Sequence, residues 1–85
     1  MYALRMFLLT ALLLFPLLAL AAKVDINTAD AAALQTLDGV GPSKAEAIVE
    51  YRDSHGGFSS ADELSSVKGI GAKTVDDNRD RISVE

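Results

Sequence analysis

Two Gly-aliphatic-Gly corners constrain this chain more than any other feature: Gly39-Val40-Gly41 and, thirty positions later, Gly69-Ile70-Gly71. Leu37-Asp38 leads into the first and Val67-Lys68 into the second, and each is followed by a segment able to start a helix. Glycine enters positive φ at little steric cost and has no Cβ to obstruct a close approach. The aliphatic residue between the glycines can then anchor inward while the backbone turns around it. Such a turn leaves N–H groups pointing outward at the next helix start, where the dipole also favours an anion. One glycine pair marks an ordinary turn. Two with matching flanks mark a duplicated motif.

In chain order, Val24-Asp25-Ile26 alternates like a brief extended arm. Asn27 suits an N-cap, with Asp30 in the first turn, for a helix over 28–37 presenting Ala33, Leu34 and Leu37. Pro42 falls at N1 of a second helix over 42–54, with Ala45, Ile48 and Val49 inward, and His55-Gly56-Gly57 stops it. Phe58 is placed to plug the core between two halves. Ser60 and Glu63 read as a capping box for a helix over 61–66 carrying Leu64. The second corner leads into a helix over 72–79 carrying Val75. Ile82 and Val84 are placed to pack on Val24 and Ile26. The prediction is an all-α, compact pair of helix-hairpin-helix units, four or five short helices related by a pseudo-twofold axis. Leu34, Leu37, Val40, Ile48, Val49, Phe58, Leu64, Val67, Ile70, Val75 and Ile82 form its shared core. Neither half has enough apolar surface to stand alone.

Residues 1–22 differ in character. A single positive charge, Arg5, precedes an almost wholly apolar run broken by Thr10 and Pro16 and ending Ala19-Leu20-Ala21-Ala22. This reads as a secretory signal peptide cut after Ala21 or Ala22. The alternative is an uncleaved anchor, but the run is at the lower limit for spanning ~30 Å of hydrocarbon and Pro16 interrupts it. With no cysteine in the 85 residues, a lipoprotein junction, a disulfide framework and a thiolate metal site are all excluded. The expected mature chain, residues 23–85, is one small domain. Without Arg5 it keeps seven basic residues against twelve acidic ones, a net charge of −5.

Outward N–H groups at a helix start make a phosphate-binding nest. Two nests on one side of a pseudo-twofold unit can grip phosphates on both strands of a duplex, contacts that position a protein without reading bases. Lys44, Lys68 and Lys73 stand in or just after the corners. The candidate DNA-binding set is therefore Gly39, Val40, Gly41, Lys44, Lys68, Gly69, Ile70, Gly71 and Lys73. Net acidity opposes DNA at long range, and Asp38 predicts that the first corner binds less well than the second. About three lysine contacts imply a slope of log K against log salt of roughly −3.

Blander roles are expected for other polar residues. Lys44 has a competing role as an ion-pair partner on its own helix face. Arg52, Arg79 and Arg81 read as surface partners of Asp76, Asp77, Asp80 and Glu50. His55 reads as a solvent-facing loop residue, since no second ligand stands at zinc spacing. Tyr51 reads as a core-edge ring with a wet hydroxyl. Asp76, Asp77 and Asp80 read as a solvated face. No nucleophile–base pair is found, so no enzyme is expected.

The run Val24-Asp25-Ile26-Asn27-Thr28-Ala29, then Leu37-Asp38-Gly39-Val40-Gly41-Pro42-Ser43-Lys44-Ala45, Ile48, Tyr51-Arg52, Gly57-Phe58 and Val67-Lys68-Gly69-Ile70-Gly71-Ala72-Lys73-Thr74 closely resembles the ComEA-type tandem helix-hairpin-helix proteins. The resemblance covers essentially all of residues 23–85. It implies a sequence-independent double-stranded DNA-binding domain, periplasmic or secreted, acting as a receptor or ratchet for transforming DNA. Phosphate-contacting positions carry over onto Gly39, Gly41, Lys44, Gly69, Gly71 and Lys73. Two departures stand out: Asp38 replaces a neutral residue or proline, and the second lysine falls at Lys73, one step before Thr74. The implied partners are double-stranded DNA and components of a competence pilus or inner-membrane DNA channel, with no small-molecule substrate. No cofactor is expected beyond the monovalent cation that some relatives hold on their hairpin carbonyls. With almost no linker after Ala22, the chain looks like the soluble form. The competing reading is a periplasmic protein-interaction module whose hairpins are purely structural.

Overall fold

The computed structural model describes residues 23–85. The expected signal peptide and its cleavage after Ala21 or Ala22 lie outside the described residues. Strand β1 (Val24–Asp25) is followed by helix α1 (Ala31–Leu34), helix α2 (Pro42–His55), a 3-10 helix (Ala61–Ser66), helix α3 (Ala72–Asn78), a 3-10 turn (Arg79–Arg81) and strand β2 (Ile82–Ser83). The architecture is all-α apart from the strand pair. Among the described residues no helix is long and apolar enough to cross a membrane.

The first helix starts later than its sequence pattern predicts. Thr28 and Ala29 both donate to the Asp25 carbonyl, and the Asn27 amide donates to Asp25 Oδ1, so residues 25–29 form a turn. Asp30 is the N-cap, its Oδ1 accepting from Ala33 N–H at 2.8 Å. Asn27 is therefore not a cap. Its Oδ1 accepts from Phe58 N–H at 2.6 Å while its Nδ2 donates to the Phe58 and Glu85 carbonyls at 3.0 and 3.2 Å. This pair locks the arm to the connector between the two halves. The helix ends early because Thr36 and Leu37 bond three residues back, to Ala33 and Leu34, in the tighter 3-10 manner.

Helix α2 starts at Pro42 as expected and runs one residue past its expected end, through His55. Pro42 occupies its first turn, and Gly56 closes it in the left-handed conformation at φ +74°. The expected capping box before the third element is not formed. Ser60 makes no side-chain cap bond, and Glu63 Oε1 accepts from the Ser59 amide. The element is 3-10 in character, and the Ser65 hydroxyl back-bonds to the Asp62 carbonyl. Strands β1 and β2 pair in parallel, Val24 against Ile82 and Asp25 against Ser83.

Residues 31–45 and 61–75 share one burial pattern, position by position. Leu34, Leu37, Val40 and Ala45 are buried, as are Leu64, Val67, Ile70 and Val75. These two sets form a single cluster with Ile26, Ile48, Phe58 and Ile82. Val49, expected inside, is only half-buried against that cluster. Each half supplies one wall of the core, so neither motif closes by itself.

Candidate nucleic-acid interface

The two corners have the same backbone. Gly39 and Gly69 are left-handed, at φ +79° and +90°. Gly41 and Gly71 are extended and cap α2 and α3 without any side-chain bond. The Val40 and Ile70 side chains are buried, and their amides donate to the Leu37 and Val67 carbonyls at 3.2 and 3.1 Å. These two residues hold the turns from inside. Among the described residues, the amides of Gly41, Ser43 and Lys44, and of Gly71, Ala72, Lys73 and Thr74, donate to no protein acceptor. Gly41 and Gly71 are exposed, with nothing within 4 Å of where a Cβ would stand.

The corners are neighbours. A Cβ on Gly39 would sit 4.0 Å from Thr74 Oγ1, and one on Gly69 would sit 3.7 Å from Lys44 Cγ. Positions 44 and 74 are equivalent in the repeat, so each helix start packs beside the opposite corner. This reciprocal contact puts both sets of amides at one edge of the domain.

Three lysines border that edge. Lys44 does not pair with acids on its own helix; its Nζ donates to the Gly39 carbonyl at 3.3 Å. Lys68 is exposed and shares a shallow depression with Ser43, Glu46, Ala47, Glu50 and Gly69. The Lys73 side chain is 87% exposed and pairs with Asp77 Oδ2 at 2.9 Å, a bond that raises the lysine pKa above its usual value. Asp38 is exposed at the first corner.

Asn78 was not anticipated from sequence. It is 1% exposed; its Oδ1 accepts from Asp38 N–H at 2.7 Å, and its Nδ2 donates to the Asp38 and Thr74 carbonyls at 2.9 and 2.8 Å. The signal was present: superposing the motifs puts Asn78 in the slot of Ile48, a polar residue in a core position.

Other polar residues depart from expectation. Arg52 serves the backbone, its Nη1 reaching the Ile26 and Ala29 carbonyls at 3.2 and 2.7 Å, with only a 3.8 Å approach to Asp53. Arg81 likewise donates to the Thr36 carbonyl. Arg79 alone behaves as expected in pairing with Asp76, and it adds Asp62. The Tyr51 hydroxyl is not merely wet: it donates to Glu63 Oε2 at 2.9 Å. Its ring stacks on Phe58 and on His55, which ends α2 rather than standing in a loop. Among the described residues no three His, Asp or Glu side chains gather as a metal site.

A family model for the helix-hairpin-helix motif matches residues 20–83. An uncharacterized protein of Haemophilus influenzae is 54% identical over 61 residues, covering 71% of this chain and 54% of that protein. ComE operon protein 1 of Bacillus subtilis is 45% identical over 64 residues, 75% of this chain and 31% of its own length. The human endonuclease/exonuclease/phosphatase family domain-containing protein 1 is 40% identical over 62 residues, 73% of this chain and 11% of its own length. The chain thus spans about half, or less, of the length of these relatives.

Proposed function

The chain belongs to the helix-hairpin-helix family, and on that premise we propose that it binds double-stranded DNA without sequence preference, through backbone phosphates. The observation that carries this is the adjacency of the two corners, each with amides unbonded within the protein. Phosphates at that edge would receive N–H groups from Gly41, Ser43 and Lys44 and from Gly71, Ala72 and Lys73. Lys44, Lys68 and Lys73 supply cations, and no cofactor is needed. At the first corner the Lys44 ammonium already stands on the Gly39 carbonyl. The role is binding, with no reaction assigned.

The likeness to ComE operon protein 1 and the apolar run over 6–22 extend the proposal to an exported protein serving DNA uptake in transformation. Components of a pilus or membrane channel would take the DNA onward. N-terminal sequencing of the protein recovered from periplasm checks the export step, with residue 22 or 23 expected at the mature end.

Fluorescence anisotropy with unrelated duplexes tests the binding. Near-equal affinities are expected, with a log–log salt slope of roughly −3 and a loss of some tens-fold between 50 and 200 mM salt. Absence of binding at 50 mM salt overturns the proposal. So does unchanged binding after joint replacement of Gly69, Gly71 and Lys73.

A second reading, a protein-interaction module, is favoured by a groove of about 400 Å³ lined by Asp30, Ala31, Glu46, Val49, Glu50 and Arg52. Under it, a partner captured from periplasm stays bound after nuclease treatment and after Lys73→Glu.

A further inference from the structure

We infer that Asn78 is a positioning residue for the first corner, an assignment that rests on reading the corners as phosphate-binding. Asn78 belongs to the second motif yet spends two of its three hydrogen bonds on Asp38, in the first. It accepts from the Asp38 N–H at 2.7 Å and donates to the Asp38 carbonyl at 2.9 Å. Asp38 immediately precedes Gly39, the left-handed residue of that corner. Holding both polar groups of one residue fixes the peptide planes on either side of it. The direction in which the Gly41, Ser43 and Lys44 amides leave the turn is then set from across the domain.

The second corner lacks this device. The slot equivalent to Asn78 holds Ile48, which is fully buried and has no polar atom to offer Lys68. Among the described residues the Lys68 amide has no acceptor. An asparagine in a core slot that isoleucine fills in the other half is unfavourable unless its bonds are all made. Here they are. No buried side-chain nitrogen or oxygen is left unpartnered among the described residues. The two corners are therefore unequal partners for a duplex. The first is prearranged and loses little conformational freedom on meeting a phosphate, whereas the second, with the exposed Lys68, settles around the strand.

The test uses the full-length chain with Asn78→Leu, which matches asparagine in shape, and Asn78→Ile, which copies the equivalent slot. Making both keeps the test decisive if one fails to fold. Each is crossed with Gly41→Ala, which puts a methyl group on the first corner, and Gly71→Ala, which does so on the second. The Asp38 amide is expected to lose hydrogen-exchange protection while the Val40 and Ile70 amides keep theirs. Duplex affinity at 50 mM salt is expected to fall roughly fivefold. The loss should be largely shared with Gly41→Ala and should multiply with that of Gly71→Ala, since only residues acting through one element couple. Losses that multiply in both crosses, or an affinity within about twofold of wild type despite faster Asp38 exchange, would overturn the assignment. A wild-type chain that binds no duplex overturns the parent reading and the phosphate role together. The exchange data, which need no DNA, separate that failure from a failure of the Asn78–Asp38 clamp itself.

Discussion

The stem of Lys44 lies over Gly69, its Cγ 3.7 Å from where a Cβ on that glycine would stand, while its ammonium reaches the Gly39 carbonyl at 3.3 Å. One side chain thus spans both corners. Its equivalent in the second half, Thr74, is too short to span them, and its Oγ1 stops beside Gly39. The pseudo-twofold axis is therefore exact enough to bring the corners together but leaves their shared edge with one bridging cation rather than two.

The four corner glycines separate stability from binding. Gly39→Ala and Gly69→Ala force a side chain into φ +79° and +90°, at a cost of about 1–2 kcal/mol each. For a domain of this size that lowers Tm by roughly 5–15 °C. Gly41→Ala and Gly71→Ala meet extended backbone and open space, so only alanine's poorer N-capping is felt and Tm should fall by no more than about 5 °C. Their methyl groups nevertheless stand where a phosphate would approach, and duplex affinity should drop about tenfold. Thermal circular dichroism beside anisotropy checks both; wild-type affinity in Gly71→Ala would mean that no phosphate comes to that corner.

Asn27→Ala removes the paired bonds to Phe58 and the bond to the Glu85 carbonyl. The expected loss is about 1–3 kcal/mol, read as a lower urea midpoint with an unchanged m-value. Asn27 is remote from the corners in its contacts, so the salt slope of duplex binding should stay as in wild type.

Much of this arrangement was legible because the repeat states each position twice. Val40 and Ile70 are identifiable as inward anchors from their flanking glycines, and the break at His55-Gly56-Gly57 follows from glycine alone. The roles of Asn27, Arg52 and Asn78 were hidden for one physical reason: each satisfies backbone groups 23 to 58 residues away. Local pattern rates an asparagine before a short helix as a cap, and only the tertiary fold reveals that Phe58 claims it first. The lysines near the corners were found from proximity in sequence. Their present partners, the Gly39 carbonyl for Lys44 and Asp77 for Lys73, depend on side-chain reach.

Glu63 gives the fold an acid-sensitive contact. The Ser59 amide, and then the Tyr51 hydroxyl, hold its carboxylate below the usual glutamate pKa. A depressed carboxylate contributes stability above its unfolded pKa and loses it as pH falls through the folded value. Tm should therefore decline from about pH 4.3 downward. Glu63→Gln, which can still accept but does not titrate, should flatten that part of the profile. The same bond, foremost, raises the Tyr51 pKa, so its share is present below about pH 10 and is lost as pH rises beyond it. Melting curves from pH 3 to pH 11 on both proteins decide the matter; parallel acid limbs would remove Glu63 as the source.

On the DNA-binding reading, Asp77, the ion-pair partner of Lys73, would compete with phosphate for it. The pair is an exposed i,i+4 contact at 2.9 Å, of a kind that adds little to stability, so Asp77→Asn should leave Tm unchanged. Its effect on binding should be larger, because one negative charge leaves the edge of the second corner and one ammonium is released towards the duplex. Affinity at 50 mM salt should rise about two- to fivefold, while the log–log salt slope should stay at roughly −3, because Lys73 is already one of the three lysine contacts that set it. The Lys73→Ala background distinguishes the two causes. If release of the lysine is what matters, Asp77→Asn brings little gain there; an undiminished gain would show that Asp77 acts by its field alone and that Lys73 does not touch the DNA.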